Sequence, residues 1–157
     1  MVYKHIINVV SSVSAGVFAG GTLMIGVSFG LIWSDLTGQE LLGAFPNYWK
    51  SIATTIIPFA LLQTVLIPLS LYLMWQNKPA RKLWIITLIL WFANCTITSV
   101  YHFPVVLNSL DDVYSAAEIT TVVDRWLLLH WPRVLLGLAS AICAVFATMK
   151  SYKIGER

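Results

Sequence analysis

Charge is what this chain has least of. Lysine, arginine, aspartate and glutamate make up 11% of its 157 residues, against 58% hydrophobic residues and a mean hydropathy of +0.77. A water-soluble domain carries about 25% charged residues, so a soluble fold is excluded. Histidine is limited to His5, His102 and His130, too few for the four ligands of a two-haem bundle. Cysteine is limited to Cys95 and Cys143, with no C-x-x-C, C-x-x-C-H or H-x-x-x-H spacing anywhere. Both thiols lie within apolar blocks and read as buried small hydrophobes, not as a disulfide or metal pair. The glycine-rich stretches "FAGG" and "GVSFG" sit inside an apolar run, without the strand-turn-helix context of a phosphate cradle. No repeat, low-complexity tract or linker divides the chain, so residues 1–157 read as one domain.

What is abundant is apolar sequence in long blocks. Four of them, Ile6–Trp33, Tyr48–Trp75, Leu83–Phe103 and Trp126–Met149, reach the roughly 20 residues needed to cross a hydrocarbon core. Helices satisfy their own backbone polar groups in lipid, so the expected fold is an all-α, integral membrane four-helix bundle with up-down topology. The first block exceeds the apolar stretch of about 7 to 15 residues in a secretory signal, which predicts a retained helix. Trp33, Trp49, Trp75, Trp84, Trp126 and Trp131 mark block ends, as indoles settling at the headgroup level would.

With four spans, Lys4, Lys78, Arg81, Lys82, Lys150, Lys153 and Arg157 share one side, and only Lys50, Arg125 and Arg133 lie on the other. The positive-inside rule then puts both termini in the cytoplasm, in a plasma (inner) membrane. The basic balance thus expresses orientation in a lipid bilayer and not nucleic-acid binding. No acid, lysine or histidine falls in the middle of a span. Gln63, Thr64, Asn94 and Thr96 are the polar groups there, and interhelical bonding accounts for them.

Several local signals refine the picture. Ser12, Gly16 and Gly20 follow at four-residue spacing, as do Gly26 and Gly30, which predicts close helix packing within the bundle or between protomers. Pro46 and Asn47 mark the start of the second span, and Pro58 and Pro68 predict kinks inside it. Pro104 disfavours the helical state at Phe103, so the third span is expected to end with His102 at its far end. "SAAE", Ser115–Glu118, has capping-box spacing and predicts a helical extension from about residue 116 into the fourth span, with a bend at Pro132.

The candidate site is "DRWLLLHWPR", Asp124–Arg133. Trp126, His130 and Arg133 are spaced i, i+4 and i+7, so they share one helical face, and Gly137 continues it. The bland account makes them interfacial anchors, with Arg125 and Arg133 snorkelling to headgroups. The functional account turns His130 and Arg133 inward, around a pocket opening to the non-cytoplasmic side, with Asn108 as a neutral donor. Histidine moves protons or binds metals near neutral pH, and arginine holds an anionic oxygen. A metal or haem alternative takes His102 and His130 as ligands, with a carboxylate from Asp111, Asp112, Glu118 or Asp124. Cofactor-free oxygen chemistry is equally compatible with the residues.

Three stretches, "AGVFAGGTLMIGV", "PVVLNSL" and "RWLLLHWPRVLLGLAS", carry a resemblance that spans nearly the whole chain. The chain resembles the anthrone-oxygenase-like family of small four-helix membrane proteins, whose hallmark is a Trp, then His, then Arg at the head of the last helix. Pro104 and Asn108 are separated by three residues, where the family pattern has one. The resemblance implies an oxygenase-type oxidoreductase acting on a small aromatic or quinol-type substrate. His130 would then be the base and Arg133 the group stabilising the resulting anion. The competing expectation is a non-enzymatic subunit, a homo-oligomer or part of a larger membrane complex, packed through the glycine face of the first span.

Overall fold

The computed structural model describes residues 2–152, almost all of them in four helices. They are α1 (Val2–Ser34), α2 (Gly38–Leu73), α3 (Lys78–Leu110) and α4 (Ala116–Tyr152), of 33, 36, 33 and 37 residues, all long and apolar enough to cross a membrane. At 1.5 Å per residue each measures about 50–55 Å. A hydrocarbon core is about 30 Å thick, so every helix is long enough to project beyond it. Lys153 and Arg157, which contribute to the expected charge asymmetry, lie outside the described residues.

Consecutive helices run antiparallel. Phe29 meets Tyr48 across α1 and α2. Asn77 reaches Lys150, and Asn94 reaches Arg133, across α3 and α4. Ser12 bonds Thr148, and Thr22 bonds His130, across α1 and α4. One end of the bundle therefore gathers both ends of the described chain and the α2–α3 turn; it is called the termini end below. The opposite, loop end holds the α1–α2 and α3–α4 connections. α4 is the central helix: 44% of its most apolar stretch is buried, against 22% for α2 and α3. At mid-helix α1 packs directly over Gly137, where the Cα of Ala19 would stand 3.7 Å from an added Cβ, leaving room for a methyl group and nothing larger.

Two boundaries differ from the expected ones, each for a local reason, and the start of α4 at Ala116 agrees with the Ser115–Glu118 spacing. α2 starts at Gly38 and not near Tyr48, because Thr37 and Glu40 form a capping box. The Thr37 N–H donates to the Glu40 carboxylate at 2.8 Å, and the Glu40 N–H donates to the Thr37 hydroxyl at 3.4 Å. Pro46 therefore sits inside the helix with Pro58 and Pro68, and the last two present exposed rings on its outer face. α3 continues past Phe103 to Leu110, so Asn108 is on a helix and not in the connection. The chain tolerates Pro104 because Thr98–His102 winds as a π-turn, in which the Phe103 N–H bonds Thr98 O. The wider turn alters the carbonyl positions that a proline ring would otherwise crowd. α4 begins after Ser115, whose N–H and hydroxyl both donate to the Glu118 carboxylate, and it runs unbroken through Pro132.

The tryptophans divide into two groups. Trp75 and Trp131 are exposed, as belt residues would be, but Trp33, Trp84 and Trp126 are buried among the helices. Their large apolar faces are worth more inside the bundle than at its rim, and they fill the space between spans that a Leu would leave open.

Candidate functional site

The Trp126–His130–Arg133 face of α4 points into the bundle. Trp126 and His130 are fully buried, and Arg133 is 5% exposed. None of the three reaches the surface, so the interfacial-anchor account fails for Trp126, His130 and Arg133, while exposed Arg125 and Trp131 fit it. Trp126 stacks on His130 with ring centroids 5.1 Å apart and planes 12° from parallel. His102 comes from the π-turn of α3 and sets its ring 4.7 Å from Trp126 and 5.9 Å from His130. Trp33 of α1 and Phe45 of α2 meet Trp126 edge-on at 5.6 and 5.7 Å. All four helices thus contribute an aromatic or imidazole ring to one cluster near the loop end.

Hydrogen bonds define the state of His130. Its Nε2 lies 2.8 Å from Thr22 O, and its Nδ1 lies 3.3 Å from Nη1 of Arg133. A carbonyl only accepts and a guanidinium only donates, so the ring is neutral, with the proton on Nε2 and its lone pair turned to Arg133. Gly26, in the π-turn Ile25–Phe29 of α1, allows the approach: a Cβ there would sit 3.3 Å from His130 Cδ2.

His102 is the complementary case. It is buried, Nδ1 lies 3.4 Å from Ile97 O, and Nε2 has no partner. No hydrogen-bond donor engages the ring among the described residues. The Ile97 carbonyl only accepts, so this bond places the proton on Nδ1 and leaves the Nε2 lone pair without a donor.

Arg133 is a buried cation without a matching anion. Among the described residues no carboxylate pairs with it. Its Nη1 is given to His130, and its Nε has no partner. The indole N–H groups of Trp33 and Trp126, in the same cluster, are also unpartnered. Asn94 of α3 fixes the backbone here by donating to Arg133 O at 2.9 Å. An unpaired buried charge is costly, which makes this cluster a place where an anionic oxygen would be stabilised.

Asn108 does not join the cluster. It is exposed, and its amide donates to the Tyr114 hydroxyl at 3.3 Å. The metal and haem reading meets three obstacles. Both nitrogens of His130 are already bonded. Asp111, Asp112, Glu118 and Asp124 are all exposed while the two imidazoles are buried. Among the described residues no three His, Cys, Asp or Glu side chains gather as a metal set. His102 and His130 are close, but their surroundings do not fit a ligating pair.

The nearest surface groove does not open onto the cluster: none of the buried rings of Trp126, His102 and His130, nor Arg133, lines it. This groove of about 340 Å³ runs along the bundle surface between α1 and α4, lined by Gly26, Val27, Gly30, Leu31, Leu127 and Trp131. Its Gly26 lies directly over the imidazole edge of His130. Sequence reasoning missed Thr22, Gly26, Trp33 and Asn94 as parts of the site. The four-residue spacing of Gly26 and Gly30 pointed to Gly26, and the polarity of Asn94 within an apolar span pointed to the interhelical bond it makes. Comparison with protein-family models, curated proteins and solved structures finds no match to this chain.

Proposed function

We propose that the protein is an oxygenase-type membrane oxidoreductase that stabilises the oxyanion of a small aromatic or quinol-type substrate, akin in chemistry to the anthrone-oxygenase-like family. Its helices cross the membrane up and down, with both termini in the cytoplasm and the His–Arg cluster towards the non-cytoplasmic side. The observation that carries this reading is Arg133, 5% exposed, unmatched by any carboxylate among the described residues and 3.3 Å from His130. An enolate or phenolate supplies the missing charge.

The bonding pattern divides the roles differently from the expectation that His130 is the base. His130 spends its lone pair on Arg133, so the pair acts together as the oxyanion holder. His102 has the free lone pair and takes the proton from the substrate carbon or hydroxyl. In the anthrone case, dioxygen accepts the carbanion's electrons, one oxygen atom becomes the new carbonyl, and the other leaves as water with the two displaced hydrogens.

Oxygen uptake in proteoliposomes supplied with anthrone or a short-chain quinol tests the proposal. His102→Ala and Arg133→Met should each lower the rate by about 100-fold or more. Wild-type uptake no faster than that of empty vesicles, or equal rates in all variants, would remove the enzymatic reading. A subunit role has one observation in its favour: Gly16 and Gly20 face outward, with nothing within 4 Å of an added Cβ. Stoichiometric co-purification with a larger membrane protein, lost on Gly20→Leu, would favour that role instead.

A further inference from the structure

The His–Arg cluster is not the only place where buried polar atoms lack partners. Towards the termini end, both amide atoms of Asn8 and the hydroxyls of Ser11 and Ser70 are buried with no hydrogen-bond partner. The same holds for Nδ1 of His5, Nε2 of Gln63 and the indole N–H of Trp84. These residues come from α1, α2 and α3. α4 closes the fourth side, where Thr148 donates to Asn8 O at 3.1 Å and pairs with Ser12 at 2.8 Å.

The helix register brings them to two neighbouring levels of the interior. Gly21 faces Ile56 and Phe29 faces Tyr48, so α1 and α2 place Asn8 level with Ser70 and Ser14 level with Gln63. From Asn8 to the level of Gln63 is a rise of roughly 10 Å at 1.5 Å per residue. The two amides are therefore too far apart to bond each other directly. The Ser14 hydroxyl is already given to Ser11 O at 3.0 Å and does not bridge them.

Apart from the imidazole of His5, every member is a neutral amide, hydroxyl or indole, and the set mixes donors with acceptors: amide N–H, amide C=O, hydroxyl and indole N–H. A cation would need several converging oxygens, and an anion would need only donors. A small neutral molecule that both donates and accepts satisfies all of them. Water is the ligand of that kind, taking two to four polar partners in a buried site. We propose that the termini half of the bundle encloses a short file of ordered water, coordinated by Asn8, Ser11, Gln63 and Ser70. It is separated from the His–Arg cluster by the layer in which Thr22 and Asn94 make their own bonds.

Water-edited solid-state NMR of the protein in bilayers tests this without any variant. Magnetisation from water should reach the side-chain amides of Asn8 and Gln63 within about twofold of the rate for exposed Gln76. It should be several-fold slower to Asn94, whose amide is committed to Arg133 O. Asn8 and Gln63 building up as slowly as Asn94 would overturn the proposal, because the amides would then be paired with protein groups. In Asn8→Leu, which keeps the shape and removes the polar atoms, transfer to Gln63 should slow at least twofold. An unchanged rate would show that the two amides share no common water and would sink the single file.

Discussion

The two halves of this bundle bury polar groups in opposite ways. The loop end concentrates a guanidinium, two imidazoles and two indoles inside a shell of aromatic rings, with hydrogen bonds as specific as His130 to Thr22 O. The termini end disperses small neutral groups, serines, threonines and amides, among alanines such as Ala15, Ala144 and Ala147. The first arrangement is expensive and localised, as a site for chemistry is. The second spreads small groups, several without a protein partner, along the seams and lets helices approach closely, as packing requires. What the difference teaches is that burial of polar groups is common to both halves of the bundle, and that uncompensated charge is confined to the loop end.

The comparison is broken most severely at Trp126, the ring that all four helices share. Trp126→Ala should cost about 3–5 kcal/mol through the cavity it leaves, read by reversible unfolding in mixed micelles. A loss under about 1 kcal/mol would mean the aromatic shell is not the core of the loop end. Arg133→Met sharpens the contrast between activity and stability. Oxygen uptake should fall by about 100-fold or more, while the thermal midpoint holds or rises, because an unmatched buried cation is gone. A large drop in midpoint would show that Arg133 has a partner that completes it in the resting protein.

Gly137→Leu probes the seam between the two halves. Its side chain would drive into the Ala19 backbone and separate α1 from α4, for about 1–3 kcal/mol. Gly137→Ala should be tolerated, since the nearest atoms stand at 3.7 Å, and equal losses in both variants would place the constraint elsewhere. The smallest effect belongs to the termini end. Thr148→Val removes the bonds to Asn8 O and Ser12 and should cost about 0.5–1.5 kcal/mol, with oxygen uptake unchanged. A loss of uptake there would join the two halves into one functional unit.

Much of this was legible from residue spacing. Four apolar blocks gave four helices, and the i, i+4, i+7 placement of Trp126, His130 and Arg133 put them on the buried face of α4. Ser115 and Glu118 marked the start of that helix. The Thr37 to Glu40 box was equally readable, but hydropathy, which tracks lipid-facing sequence, obscured a helix start in the more polar segment before it. Trp33, Trp84 and Trp126 lay at block ends, where an indole suits the rim and the core alike; only packing decides between them. The α-turn to π-turn change at Ile25–Phe29 and Thr98–His102 has no periodic signature, because each shifts the pattern only once.

Those two wide turns flank the same stretch of α4, and each holds one surplus residue relative to regular winding. Beyond each of them the helix is out of phase with its earlier portion by about 100°, the rotation of a single α-helical step. Trp33, beyond the first turn, owes its aim at Trp126 to that phase offset, and His102 is set by the second turn that it closes. Excising any one residue from Ile25–Phe29, with no change to the ring itself, would steer the indole off its target. Arithmetic along the backbone, as much as side-chain identity, is what assembles the aromatic cage.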